Sequence, residues 1–203
     1  MENVIVKSGE KQSLKKEYHI LKQLEAKRGE GHHCFPIAYE YEERGEMATL
    51  FLEKIEGRTL TDAIKHHAVS REQYIQWLKE TADGIAYLHS QRPAILWCDC
   101  KPDNLMVDES GHIYLIDFDH ACYLLKEAPD SSYGTKGYCA PEQVRGELLD
   151  ERTDIYGFGA TFLSLPMKWN WFSIRTLLKK CVLPRKELRF QTIEELRYEL
   201  NKL

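Results

Sequence analysis

Residues 97–104 read W-C-D-C-K-P-D-N, and this stretch decides how the rest of the chain is understood. Within eight residues it sets an acid, a base and an amide: Asp99, Lys101 and Asn104. Thirteen residues past Asn104 stands another acid, Asp117, in the run I-D-F-D at 116–119. Phosphoryl transfer from a nucleotide asks for such a set. It needs a carboxylate to orient and deprotonate a hydroxyl, a cation near the moving phosphoryl group, and oxygen ligands for Mg2+.

Working outward, Ile95-Leu96-Trp97 is a short apolar lead-in. Leu105–Val107 and Ile113–Ile116 are two apolar runs joined by D-E-S-G-H, a hairpin signal that puts Asn104 and Asp117 at the two mouths of one hairpin. Upstream, residues 71–89 carry Tyr74, Leu78, Ala82, Ile85 and Leu88 at helical spacing. Downstream, residues 120–138 hold Pro129, serines and glycines and read as a loop. Asp154–Leu165 is an apolar helix stopped by Pro166. Ile174–Val182 and Thr192–Leu203 are two further helices, the last capped near Gln191 or Thr192.

At the other end, N-V-I-V-K at 3–7 reads as a short buried strand, broken by Ser8-Gly9. From Glu10 to Lys27 the pattern is helical, with Leu14, Tyr18, Leu21 and Leu24 on one face and Gly29-Glu30-Gly31 as its stop. Lys7 is either a strand-end lysine leaving the core or a lysine aimed into a cleft. Glu17 is either a solvated flank residue or the inward partner of Lys7. Residues 35–41 and 47–54 read as two strands joined by E-E-R-G-E, and Leu60–His67 as a helix capped by Thr59 or Thr61. Residues 1–53 thus form a small α+β unit and the remainder is mainly helical, with the boundary near 53–58.

The 203 residues are 43% hydrophobic and 30% charged, ordinary for a globular chain. A net charge of −4 gives no overall pull toward nucleic acid or anionic membrane. The longest apolar run, Gly157–Met167, falls short of the ~18 residues of a membrane span. M-E-N-V-I-V-K is not a secretion leader, so the expectation is a cytoplasmic protein with no nucleic-acid or membrane partner. Six cysteines form neither a disulfide framework nor a CxxC pair. His32-His33-Cys34 and Cys98-x-Cys100 lack a second pair of ligands and read as incidental rather than as a zinc site.

Several strings resemble one family in its own order. W-C-D-C-K-P-D-N resembles the catalytic loop H-R-D-x-K-P-x-N of eukaryotic-type protein kinases, and I-D-F-D resembles their D-F-G. Gly134–Glu142 resembles G-T-x-G-Y-x-A-P-E at every specified position. Asp154–Gly159 resembles the D-x-x-x-x-G helix start that anchors the catalytic loop. Leu188-Arg189-Phe-Gln-Thr resembles R-P-T, whose arginine pairs with the glutamate of A-P-E. The resemblance covers the chain from residue 4 onward and implies an α+β, bilobal protein-kinase-like fold. This would be a single domain over 1–203, with a truncated N-terminal β lobe over 1–55 (three strands and one helix) and a helical lobe over 56–203.

By that resemblance Asp99 is the base that orients a substrate hydroxyl and Lys101 contacts the γ-phosphate, the serine/threonine pattern. Asn104 and Asp117 are Mg2+ ligands. Lys7, in V-I-V-K, holds the α/β-phosphates of ATP with Glu17 as its helix partner. The Glu53 carbonyl and Ile55 amide are hinge contacts to adenine. Glu142 and Arg189 make a structural ion pair. The cofactors implied are ATP and Mg2+, with Mn2+ as the alternative, and the partner is a protein substrate.

The departures shape the expectation. No G-x-G-x-x-G occurs anywhere in the chain, by natural truncation or because the chain is a fragment, so ATP should be less enclosed. The strand at 3–7 becomes a bare sheet edge, where a second copy or a partner strand is expected. Position 98 is Cys rather than Arg, so control through phosphorylation of Ser131, Ser132 or Thr135 by the usual anchor is not expected. Asp119 replaces the glycine of D-F-G, adding charge near the metal and backbone strain. Only thirty residues separate Gly159 from Arg189, implying a reduced substrate-docking region between Leu165 and Ile174. The leading reading is an active serine/threonine protein kinase. The alternative is a pseudokinase acting as a nucleotide- or protein-binding scaffold. A small-molecule phosphotransferase of the aminoglycoside-kinase type is disfavoured by the A-P-E run.

Overall fold

Strand β1 (Val4–Glu10) runs without a connecting loop into helix α1 (Lys11–Ala26), and this junction sets the geometry of the small lobe. The structure, a computed structural model, describes residues 3–26, 34–66, 69–124, 134–168 and 170–203. Strands β2 (Ala38–Arg44) and β3 (Met47–Glu53) form a hairpin whose Gly45 adopts φ 64°, a conformation glycine takes at little cost. The sheet is antiparallel with the order β1-β3-β2, and its register pairs Val4 with Glu53 and Lys7 with Leu50. Alternate residues of β3, Ala48, Leu50 and Leu52, face inward onto Leu14, Ile20, Leu21 and Leu24 of α1.

The chain then enters the larger lobe through β4 (Gly57–Thr59), which pairs with β6 (Leu105–Asp108); β6 in turn pairs with β7 (Ile113–Leu115). Between them lie α2 (Leu60–His66), α3 (Arg71–His89) and β5 (Ile95–Leu96). Thr59 and Ser70 cap α2 and α3 by accepting the Asp62 and Gln73 amides at 3.2 and 3.1 Å. Strand β8 (Cys122–Tyr123) pairs with β5, and α4 (Pro141–Val144), α5 (Glu151–Ser164), α6 (Phe172–Cys181) and α7 (Ile193–Leu200) complete the lobe. One apolar core runs from α1 through Phe118 to Phe158, Phe162 and Leu178. Gly159 lets α5 and α6 close up, since a Cβ there would stand 2.5 Å from Cys181 Cβ.

The small sheet lobe and the helical lobe are those expected, with local corrections. The first strand is neither short nor buried. It continues through Ser8-Gly9, and at the edge of the sheet it leaves Ile5 and Val6 about half exposed. Strands β4 and β8, at two or three residues, are too short to show a period of two in sequence, and β8 falls where a loop is expected. Helix α5 starts at Glu151 because Asp150 caps it, accepting the Arg152 amide at 3.0 Å. The backbone strain expected at Asp119 sits instead at Asp117, with φ 61°. The Gly29–Gly31 stop, His32, His33, Pro129, Ser131 and Ser132 lie outside the described residues.

Candidate active site

The site is built on Asp154, in the first turn of α5 and 1% exposed. Its Oδ1 accepts the Cys98 amide at 2.7 Å; its Oδ2 accepts the Trp97 amide at 2.9 Å and meets His89 Nε2 at 2.8 Å. These bonds hold Cys98 at φ 64°, a left-handed conformation that costs a non-glycine residue about 1–2 kcal/mol. The sharp turn at Cys98 sets the Asp99 side chain beside Lys101, Asn104 and Thr135. Gln143 of α4 fixes the same turn from the other side, donating to the Cys98 carbonyl at 2.9 Å.

Asp99 is 4% exposed and fully engaged. Its Oδ2 accepts from Lys101 Nζ at 2.7 Å and Asn104 Nδ2 at 2.8 Å, and its Oδ1 accepts from the Thr135 hydroxyl at 2.8 Å. Lys101 also donates to Thr135 Oγ1, at 3.1 Å. With its amide nitrogen turned to Asp99, Asn104 keeps its carbonyl oxygen as the atom able to ligate a cation.

Opposite this group, Lys7 Nζ meets Glu17 Oε2 at 2.8 Å, Asp117 Oδ1 at 2.8 Å and Asp119 Oδ1 at 3.0 Å. Glu17, expected either on a flank or inward, is inward and 1% exposed; its Oε1 accepts the Phe118 amide at 3.0 Å. Partial burial alone would lower the Lys7 pKa, but the Glu17 carboxylate and the bond to Asp117 outweigh it and hold the ammonium above the ordinary lysine range. Burial pushes the Glu17 carboxyl up against the pull of Lys7. Burial would also raise Asp119, and its bond to Lys7 more than reverses that. Asp117, the second strained residue, is braced by Trp97, whose Nε1 donates to the Asp117 carbonyl at 3.1 Å.

Glu17, Asp117 and Asp119 each offer a carboxylate oxygen within 4.8 Å of the others. Such hard, charged oxygen donors fit Mg2+ or Mn2+. Glu53 ends β3 and pairs with Val4, and its side chain accepts the Ile37 amide at 3.0 Å; Ile55 follows, half buried. Below the cleft, Arg189 and Glu142 form the expected ion pair at 2.6 Å with both side chains buried, and Arg189 also caps the Leu183, Pro184 and Arg152 carbonyls.

In sequence Thr135 is a member of the G-T-K-G-Y run with no phosphorylation control expected of it; the structure joins that run to Asp99 through its hydroxyl. Trp97, His89 and Gln143 were not singled out as supports, because each acts through a bond to backbone or to a distant acid. Asp119 was expected near the metal, and the structure adds its bond to Lys7.

The protein kinase domain family model matches residues 1–200. The chain is 28% identical over 163 residues to a G-type lectin S-receptor-like serine/threonine-protein kinase of Arabidopsis thaliana, covering 78% of this chain and 19% of that protein. It is 28% identical over 172 residues to mitogen-activated protein kinase kinase kinase 18 of the same plant, covering 81% of this chain and 50% of the relative. To the mitogen-activated protein kinase kinase kinase dlk-1 of Caenorhabditis elegans it is 28% identical over 128 residues, 62% of this chain and 12% of the relative. The chain therefore spans half or less of the length of these relatives. Taken with the motif order and the fold, these matches make the chain a member of the eukaryotic-type serine/threonine protein kinase family.

Proposed function

We propose that the chain transfers the γ-phosphoryl group of ATP to serine or threonine hydroxyls of a protein substrate, with Mg2+ or Mn2+ as the cation. The observation that carries this is the Asp99 carboxylate, held by Lys101, Asn104 and Thr135 at 2.7–2.8 Å. Asp99 orients the incoming hydroxyl and takes its proton. Lys101 pairs with Asp99 at 2.7 Å and offers positive charge to the transferring group. Lys7 supports the α/β-phosphates, while the Glu53 carbonyl and Ile55 amide take the adenine edge. Asp117 and Asn104 would hold the cation, with Asp119 beside them. When bound, the cation neutralises the charge of the phosphate oxygens. The test is phosphate transfer from labelled ATP to a generic basic protein, beside Asp99→Asn; transfer that persists in that variant defeats the assignment.

A second reading, a pseudokinase scaffold, draws on Lys7, whose ammonium three carboxylates already hold. It predicts no transfer while ATP still raises the melting temperature. The same proposal places the chain in the cytoplasm, where ATP is at hand; cell fractionation tests it.

The partner surface in this proposal is the β1 edge, outermost in the order β1-β3-β2. Ile5 and Val6 are 49% and 57% exposed there, and an unpaired edge recruits a strand from a second copy or another protein. Sedimentation at high concentration that finds monomer alone counts against the dimer.

A further inference from the structure

Cys98 and Cys122 bring their sulfurs to 4.0 Å, between the segment that carries Asp99 and the strand that follows Asp117 and Asp119. We propose that these two cysteines are a reversible oxidation site that closes to a disulfide, cross-linking the catalytic loop to β8.

The placement follows from pairing. Leu96 of β5 stands opposite Cys122 of β8, and Cys98 lies two residues further on, so both thiols share a small apolar pocket with Leu96 and Leu149. A disulfide needs the sulfurs about 2 Å apart, so side-chain rotation must bring them roughly 2 Å closer. Cys98 is the fixed end. Its amide is bound to Asp154 and its carbonyl to Gln143, and it is 4% exposed. Cys122 is half buried, so an oxidant reaches it first. Cys100 does not compete. It is 2% exposed, in contact with Thr161, and burial pushes its thiol well up, away from the reactive thiolate.

The oxidant is hydrogen peroxide. Cys122 gives up its proton, its thiolate attacks one peroxide oxygen, the O–O bond breaks, and the leaving hydroxide takes up that proton, so that sulfenic acid and water form. Cys98 thiolate then attacks the Cys122 sulfur, the S–O bond breaks, and hydroxide leaves and is protonated to water. Two thiols lose two electrons and the peroxide gains them. A dithiol reductant reverses the bond. Position 98, where the resembled motif carries an arginine, thus holds a thiol whose neighbour is another thiol.

The test treats the reduced protein with peroxide, alkylates the remaining thiols and measures intact mass. Expected are four alkylated cysteines of the six and a loss of about 2 Da, both reversed by dithiothreitol. Cleavage before aspartate separates the three nearby cysteines, because Cys98 ends the peptide 83–98, Cys100 lies in 99–102 and Cys122 in 119–129. The expected product joins 83–98 to 119–129 and is absent from Cys122→Ser, a substitution at the half-buried end that leaves the Cys98 turn intact. Six alkylated thiols after peroxide, a link through any other cysteine, or sulfinic acid at Cys122 without a link overturns the proposal. The measurement does not depend on the phosphoryl transfer proposed above, since a chain without that activity still forms the bond.

Discussion

Lys7 and Glu17 lie ten residues apart in the chain and meet at 2.8 Å, because β1 hands the chain directly to α1 with no loop between. That spacing is short for the family. It suffices here because a strand that passes straight into a helix turns the first inward helical positions back toward its own side chains. Glu17 then joins Lys7 to the Phe118 amide and couples the small lobe to the I-D-F-D run. Glu17→Gln removes the charge from this joint. Breaking a buried pair costs about 3–5 kcal/mol. Lys7 is partly exposed and keeps two acids, so the expected loss is about 1–2 kcal/mol, read from the denaturant midpoint. Phosphate transfer should fall about tenfold or more.

Asp119 competes for the same ammonium at 3.0 Å. In Asp119→Gly, Lys7 has one carboxylate fewer to exchange for phosphate. ATP should bind about fivefold more tightly, close to 1 kcal/mol, as measured by titration calorimetry with Mg2+. Weaker binding would instead make Asp119 a cation ligand.

Thr135 positions Asp99 through a single hydroxyl at 2.8 Å. Thr135→Ala should lower kcat about tenfold with KM for ATP unchanged, and Thr135→Ser should restore most of it, because only the hydroxyl is needed. Equal losses in both variants would point to packing instead of positioning.

Asp154 binds two amides and His89 while holding Cys98 at positive φ. Asp154→Ala leaves those donors buried without an acceptor and the left-handed turn without its brace. A loss of about 3–5 kcal/mol is expected, a drop of roughly 10 °C or more in Tm for a chain of this size.

Asp150 caps α5 and also meets Arg152 and Lys186, at 2.7 and 2.9 Å. Partial burial would raise its carboxyl, but the bonds to Arg152 and Lys186 win and hold it well below the usual carboxylate range. A depressed folded-state pKa contributes stability that is complete above the unfolded value of about 3.9 and is lost as pH falls through the folded value. Asp150→Ala should therefore cost about 1–2 kcal/mol at neutral pH, and the gap to wild type should narrow below about pH 4. A pH-independent gap in denaturant titrations would rule out the charge as its cause.

Much of this was legible in the residues alone. The runs at 97–104, 116–119 and 134–142 carry local chemistry, so their order announced the fold and marked Asp99, Lys101, Asn104 and Asp117 as candidates. The Leu14–Leu21–Leu24 stripe announced α1, and Glu142 and Arg189 were paired in advance by their motifs. Harder to see were elements too short to hold a period, such as β4 and β8, and a cap such as Asp150 that lies before the apolar pattern begins.

By itself the sequence determined the bilobal plan and the candidate site residues, because hydrophobic period, turn residues and contiguous motifs are local properties of the chain. Only the tertiary structure decided that Glu17 faces inward, that Asp119 shares Lys7, that Thr135 reaches Asp99 and that strain sits at Cys98 and Asp117. Each of these depends on contacts between segments from 20 to more than 100 residues apart. The Lys7–Glu17 pair spans only ten residues, yet its side chains meet through the strand-to-helix angle, which spacing alone does not encode.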